Sequence, residues 1–404
     1  MQCIPLAPRK SEARQFSNVL SLVKKLKPNY SIYCLRPQIL RNTAVKFTKL
    51  FPGKVMYAVK CNPHPLVLNA LSQGGISRFD VASAAEVAQI GNTFPDADIY
   101  FMHPVKSRQA IRMAYNDYGV RHFAIDHYNE LQKVIEETGG KNLTVMVRVK
   151  TPPSEGSLYH LAKKFGAEPA MAAKLMQQAK EAGVQVGITF HVGSQCIEPQ
   201  AYSRALEMIG QVIEMAGIKP VCLDVGGGFP VAYPGRDIPP LTEYMAAIES
   251  GIADLALGSD VEIFAEPGRA LVAAGCSLLT HVQLRKEEQL FINDGVYGAL
   301  SELLDSKTAL LTKVVRLDGA VTTQVQEFSV CGVTCDSTDM LPSPLCLPVD
   351  VKEGDWLEID CVGAYSNALS TNFNGFRSDA FAILDDQPPS VVAAQRQVLV
   401  SVNN

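Results

Sequence analysis

Eight short apolar runs separated by amphipathic stretches constrain the fold of this chain more than any other feature. They are Val55–Lys60, Ile76–Val81, Ile99–Met102, His122–Ile125, Leu143–Val149, Val186–Val192, Val221–Val225 and Val261–Glu266. Each has the length of a strand. The segments between them, among them Ala84–Gly91, Tyr128–Thr138, Pro169–Ala182 and Tyr202–Ala216, carry apolar residues at helical spacing. Strand and helix alternating eight times over about 210 residues is the pattern of a closed (β/α)8 barrel, for which ~250 residues is typical. An open doubly wound sheet is the competing arrangement, and the count of eight favours the barrel.

After about Arg269 the alternation stops. Strand-like runs follow one another at Leu290–Asn293, Thr312–Leu317, Gln324–Val330, Trp356–Cys361 and Asp379–Leu384, with turn signals such as Asp318-Gly319 and Glu353-Gly354-Asp355 between them. An earlier run, Tyr30–Cys34, also reads as a strand. The chain is therefore divided into a segment 1–35 that joins the β-domain, a barrel 36–272, and an all-β domain 273–404.

Composition removes several classes of function. Of 404 residues 47% are hydrophobic and 19% charged, an ordinary globular balance. A net charge of −4 gives no electrostatic case for nucleic acid or an anionic membrane. No apolar run approaches the roughly 20 residues of a spanning helix. Met1-Gln2-Cys3-Ile4-Pro5 lacks the charged-then-apolar layout of a signal peptide. Ten cysteines without a Cys-x-x-Cys pair, and seven histidines without a close ligand pair, argue against a structural metal. A reduced, cytoplasmic compartment is expected.

Barrels carry their chemistry at the C-terminal strand ends. Here strand one ends on Lys60, and strand two on Phe79-Asp80-Val81-Ala82-Ser83 with Glu86 a turn later. Strand six ends in His191-Val192-Gly193-Ser194, strand seven in Asp224-Val225-Gly226-Gly227-Gly228, and strand eight in Glu266-Pro267-Gly268-Arg269. Alone, a strand-end lysine usually reaches into water, a strand-end histidine is usually structural, and three glycines are usually a turn. Five such clusters on one rim call for a common purpose. Desolvation can lower the pKa of Lys60 until its neutral amine attacks a carbonyl. Gly226, Gly227 and Gly228 leave backbone N–H groups open to an anion, and Gly268-Arg269 adds another N–H and a guanidinium. Glu266 offers a carboxylate to a pyridinium nitrogen, and His191 a flat partner for a ring. An aldehyde partner, a phosphate cup and a ring-nitrogen carboxylate together describe pyridoxal 5'-phosphate.

The segments Tyr57-Ala58-Val59-Lys60-Cys61-Asn62, Phe79-Asp80-Val81-Ala82-Ser83, His191-Val192-Gly193-Ser194, Asp224–Pro230 and Glu266–Arg269 resemble the barrel-type (fold type III) pyridoxal-phosphate decarboxylases. Within them the chain is similar to the ornithine decarboxylase branch, with its lysine- and arginine-acting relatives. Asn293–Gly298, Thr334–Asp339, Gly363-Ala364-Tyr365 and Phe373-Asn374-Gly375-Phe376 agree. The resemblance implies that Lys60 bonds the cofactor aldehyde and, when freed, pairs with Asp80 and Glu86. His191 would stack on the ring, and Glu266 would hold its nitrogen protonated. Ser194, Gly228, Gly268, Arg269 and Tyr365 would bind the phosphate. Cys335 would give a proton to the product carbanion, and Asp336 would meet the substrate's distal amine, both from the second subunit of a homodimer.

Two positions depart from the eukaryotic ornithine pattern. An arginine shortly before Lys164-Phe165-Gly166 is replaced by His160, and the second distal-amine aspartate falls on Ser306, with Asp305 beside it. The expected reaction is decarboxylation of a basic amino acid, L-ornithine or L-lysine, with Asp336, Asp305, Tyr365 and His160 near the substrate. The alternatives are a different or modified amino acid in specialised metabolism, a racemase, and an inert homologue that binds a regulator. A related racemase would use a partner tyrosine where this chain has Cys335. An inert homologue should show a broken cofactor site, yet Lys60, His191, Glu266, Arg269 and Cys335 are all present.

Overall fold

In a computed structural model the chain is described over residues 13–152, 164–306 and 309–388. Strands β1 (Arg14–Phe16) and β2 (Ile32–Leu35) come first, and neither enters the barrel. The barrel strands are β3 (Lys54–Ala58), β4 (Arg78–Val81), β5 (Asp98–Phe101), β6 (His122–Ile125), β7 (Thr144–Arg148), β8 (Gln185–Thr189), β9 (Cys222–Asp224) and β10 (Glu262–Ala265). Each pairs in parallel with the next, and β10 pairs with β3 to close the ring. The eight expected runs match these strands to within three residues at each end.

Local chemistry sets the outer helices. Pro37, Pro65 and Pro169 open three of them, where a missing N–H costs nothing. Ser83 and Ser107 cap two others, their hydroxyls accepting from the Glu86 and Ala110 N–H groups. The strand period of two then divides the core. Val55 and Tyr57 of β3 pack outward under the helices, whereas Met56 points into the lumen. There it meets Tyr100, Met102, Ala124, Met146, Cys222 and Phe264, which plug the barrel. Gly187 lets this plug close, since a Cβ would lie 2.3 Å from Met146 Sδ and 2.6 Å from Cys222 Sγ.

Beyond the barrel come β11 (Cys276–Lys286), β12 (Gln289–Ile292), β13 (Thr312–Val315), β14 (Val325–Cys331), β15 (Leu345–Pro348), β16 (Trp356–Ile359) and β17 (Phe381–Leu384). They form one sheet with β1 and β2, and β2 lies between β17 and β11. The central strand β11 is the longest among the described residues and was not among the expected runs. Residues Cys276–Thr280 are buried at every position, so the strand shows no alternation to read. Arg36, 1% exposed, ties the barrel entry to this sheet through Glu358 (2.7 Å), Ser277 (2.8 Å) and Asp386 (2.8 Å). Among the described residues no helix is long and apolar enough to cross a membrane.

Candidate active site

Stepping two residues along the strands from the plug gives the next inward layer. Met146 leads to Arg148, Cys222 to Asp224 and Phe264 to Glu266, and Arg78, the β4 register partner of Met56, leads to Asp80. Three of these are carboxylates, with Asp80 1%, Asp224 0% and Glu266 8% exposed. Above them opens a cavity of about 500 Å³. Lys60, His191, Ser194, Gly228, Glu266, Gly268, Arg269 and Tyr365 all line it.

Lys60 does not end the strand. It sits in a single 3-10 turn, Val59–Cys61, just beyond β3. The Tyr57 hydroxyl donates to Asn62 O (3.0 Å) and the Asn62 amide to Gly363 O (2.8 Å), which fixes the turn against the β-domain. The Lys60 side chain remains 45% exposed towards the cavity, and its Nζ donates to Asp80 Oδ2 at 2.9 Å. Its pKa is raised, not lowered as expected. Burial pulls it down, but the Asp80 and Glu266 carboxylates outweigh that pull and favour the ammonium. Glu86 takes no direct part in this pair. Its carboxylate accepts from the Ala82 N–H at 2.6 Å, and burial raises its pKa against that bond.

His191 accepts a hydrogen bond from the Gly193 N–H on Nδ1 (3.0 Å), so the neutral ring carries its proton on Nε2. Burial, then the charges of Arg148 and Lys60, hold its pKa well below the ordinary value. Glu266 and Asp224 are neighbouring buried carboxylates. Asp224 is bound by the Thr189 hydroxyl (2.6 Å) and the Gly226 N–H (2.9 Å), and burial pushes it up to about 6. Glu266 is raised as well, by burial and then by the Asp224 and Asp80 charges. Its buried Oε1 has no hydrogen-bond partner among the described residues.

The glycine run is imposed by close packing. A Cβ on Gly226 would lie 2.1 Å from Phe190 O, and one on Gly228 2.4 Å from Gly193 O. Gly226 and Gly228 also hold φ of +69° and +109°, where side chains are strained. Gly268 packs on the Lys60 turn, where its Cβ would meet Cys61 Cβ at 3.0 Å. Arg269 is 5% exposed and lies 5.1 Å from the Tyr365 ring. Tyr365 itself is held at φ +53° by its N–H bond to Cys61 O (2.9 Å).

Not every expected residue reaches the cavity. Cys335 is exposed, with its N–H and thiol 3.2 and 3.4 Å from Asn374 Oδ1. Asp336 accepts from the Tyr297 hydroxyl (3.0 Å) and from the Thr338 N–H and hydroxyl (2.8 Å each). These bonds, those from Thr338 first, hold its carboxyl below the usual range. Neither residue lines the cavity of its own chain. Asp305 falls in the short helix Leu303–Ser306 with its side chain outside the described residues, and His160 lies outside them altogether.

Arg148, His103 and Glu302 enter the site or its wall without a motif to announce them, whereas Asp224 and Phe165 lie in the motifs Asp224–Pro230 and Lys164-Phe165-Gly166, which gave them no role. For Arg148 and Asp224 the signal was available, because both lie two residues beyond an inward-facing plug residue. His103 and Arg148 instead gather around the Phe165 ring, at 5.3 and 5.5 Å.

The polar groups left over suit pyridoxal phosphate. Glu266 Oε1, Asp80 Oδ1 and Arg269 Nε are buried without partners among the described residues, around a cavity that also holds a lysine amine. A protonated ring nitrogen would donate to Glu266 Oε1, a phosphate would accept from Arg269 Nε, and an aldehyde would bond the lysine amine that Asp80 holds, so the residues fit the group.

Comparison with known proteins agrees. The family described as pyridoxal-dependent decarboxylase, pyridoxal binding domain, matches residues 37–273. The decarboxylase flvG of Aspergillus flavus is 32% identical over 376 residues, covering 86% of this chain and 84% of that protein. Antizyme inhibitor 2 of Xenopus laevis is 34% identical over 361 residues, covering 82% of this chain and 76% of that protein. The crystal structure of the lysine/ornithine decarboxylase of Vibrio vulnificus complexed with cadaverine matches with a TM-score of 0.79 at 28% identity, over 92% of this chain and 100% of that one. This chain belongs to the fold type III pyridoxal-dependent decarboxylases, in their ornithine decarboxylase-like group, and its cofactor is pyridoxal phosphate.

Proposed function

We propose that the chain removes the α-carboxylate of a basic amino acid, L-ornithine or L-lysine, and does so as a homodimer with shared sites. The observation that carries the reading is the layer Lys60, Asp80 and Glu266, with unpartnered carboxylate oxygens beside a lysine amine. When bound, pyridoxal phosphate supplies the electron sink for the pair left behind as carbon dioxide departs.

The protein's own groups do the rest. Lys60 would hold the cofactor through its aldehyde, and Asp80 Oδ2 holds the Lys60 amine as the ammonium when it is free. Glu266 would hold the ring nitrogen and keep it protonated. The neutral His191 ring would hold the cofactor ring without adding a charge. Gly228, Gly268, Ser194 and Arg269 take the phosphate, and Tyr365 packs on Arg269.

The partner subunit's Cys335 returns a proton to the substrate carbon, and the partner's Asp336 meets the distal ammonium. Leu369, Phe373 and Phe376 support a shared site. Leu369, 50% exposed, lines the cavity, and Phe373 and Phe376, 41% and 48% exposed, flank the Asn374 that meets Cys335, an apolar surface that a second subunit would cover.

Release of carbon dioxide across a panel of ornithine, lysine, arginine, acidic and N-substituted amino acids tests the reading. The diamino acids should be turned over with the highest kcat/KM, and a higher value for an acidic substrate defeats the substrate class. The likeness to antizyme inhibitor 2 favours one second reading, a non-catalytic binding protein. The intact layer of Lys60, His191, Glu266 and Arg269 opposes it, and purified protein without cofactor absorbance or turnover would restore it.

A further inference from the structure

Arg269 is already paired. Its Nη1 donates to Glu302 Oε2 at 2.8 Å and its Nη2 to Glu302 Oε1, an end-on fork. Nη1 also donates to the Tyr233 hydroxyl at 3.0 Å. A guanidinium has five N–H donors, and these contacts use three of them. The two remaining, Nε–H and the outer Nη2–H, lie together on the side-on edge, and Nε is buried without a partner among the described residues. Glu302 is 17% exposed and lines the same cavity as Ser194, Gly228 and Gly268.

We propose that Glu302 is a resident counter-anion of the phosphate cup. It fixes Arg269 so that the guanidinium presents its side-on edge to the cofactor phosphate, and its own charge weakens the hold on that phosphate. The inference rests on Arg269 meeting the phosphate, as proposed above.

Two anions then share one guanidinium. The phosphate carries about two negative charges at neutral pH, and Glu302 adds a third on the adjacent end-on edge. Without the cofactor, Glu302 satisfies a cation that burial would otherwise leave uncompensated. With it, the same carboxylate repels the phosphate. Glu302 therefore stabilises the cofactor-free protein more than the loaded one, and it acts as a positioning residue that sets how readily the cofactor exchanges.

Glu302→Gln keeps the shape and removes the charge. Cofactor release from diluted full-length holoenzyme, followed by its visible absorbance, should slow about tenfold, and the Kd for pyridoxal phosphate on the stripped full chain should fall by a similar factor. Pyridoxal, which lacks the phosphate, should bind Glu302→Gln and wild type alike, and inorganic phosphate should compete with pyridoxal phosphate more strongly on the variant. Unchanged or weaker pyridoxal phosphate binding overturns the proposal.

If Glu302→Gln does not fold, as judged by circular dichroism, Glu302→Asp is read in the same titrations. It withdraws the charge by one methylene and should move Kd in the same direction by a smaller factor; no movement, or the opposite one, overturns the proposal. Arg269→Ala separates the two readings. If it leaves the preference for pyridoxal phosphate over pyridoxal intact, Arg269 does not meet the phosphate and the site assignment fails. If that preference collapses while Glu302→Gln changes nothing, the role of Glu302 alone fails.

Discussion

Lys60 Nζ lies 2.9 Å from Asp80 Oδ2, while Oδ1 of the same buried carboxylate has no partner among the described residues. The lysine is thus held as an ammonium by the group that must release it before it can bond an aldehyde. The folded pKa of Lys60 is raised above its ordinary 10.5. The pair therefore stabilises the fold fully below that value, and its contribution is lost as pH rises through the folded value. Asp80→Asn removes the principal raising charge. The midpoint of the pH dependence for reaction of the cofactor-free protein with pyridoxal phosphate should then fall, and an unchanged midpoint counts against the pairing. Borohydride treatment of wild-type holoenzyme should fix the cofactor to Lys60 in peptide maps, and a label on Lys106 or Lys164 sinks the assignment.

Glu266 is expected to act on the ring nitrogen through Oε1. Glu266→Gln retains the shape and loses the ability to hold a full positive charge opposite. Single-turnover decarboxylation should slow roughly tenfold or more, equivalent to ~1.4 kcal/mol of transition-state stabilisation. An unaltered single-turnover rate argues that the carboxylate serves the fold alone.

Asp224 provides a stability test that needs no substrate. Its folded pKa, about 6, stands above the ordinary 3.8 because burial disfavours its charge. The favourable contribution is complete below the ordinary value and is lost as pH rises towards the folded one. Asp224→Asn carries no such charge. The stability of the cofactor-free variant relative to wild type should improve between about pH 4 and 6 and then level off, by at most about 3 kcal/mol. Denaturant melts across that range measure it, and a flat difference shows that Asp224 does not titrate there.

The proposed sharing of sites between subunits is open to complementation. Lys60→Ala and Cys335→Ala chains, each inactive alone, would rebuild one complete site in every heterodimer. Random reassortment places about half of all dimers in that class, so roughly a quarter of wild-type activity should return. Proven subunit exchange without recovery would mean that each chain supplies its own Cys335.

The barrel was readable because its strands are short apolar runs bounded by helices, and the rim residues were readable because barrels place chemistry there. Lys60 was located to within two residues, but the sign of its pKa shift was not. That sign depends on Asp80 and Glu266, which converge from β4 and β10, and no local pattern carries their distance. Asp224 stood at the end of a strand run before three glycines and was given no role of its own. Its place emerges once Cys222 is known to face the lumen, since the period of two carries the chain inward again at Asp224. Strand β11 and Glu302 were illegible for different reasons. The first is buried on both faces and lacks alternation. The second acts by reaching Arg269, 33 residues earlier in the chain.

Substrate choice turns on which carboxylates meet the far end of the substrate. Among the described residues the carboxylates on the cavity wall are Glu266 and Glu302, and Glu302 is engaged by Arg269. Arg148, Lys164 and His103 line the same wall, and a distal ammonium is proposed to be met by Asp336 or Asp305. Asp336 is the residue proposed to supply a carboxylate from a partner subunit, and hydrogen bonds from Thr338 and Tyr297 hold its carboxyl below the usual range. Asp305 is the second candidate, one residue before Ser306. Asp336→Asn should therefore raise KM for ornithine or lysine much more than for an analogue lacking the distal amine, since a charge-assisted hydrogen bond to an ammonium is lost in one case alone. Asp305→Asn should do the same if the one-residue shift brings it to the ammonium. Steady-state kinetics on the paired substrates decides the matter: equal changes in KM for both would leave the decarboxylase standing and remove the basic amino acid from it.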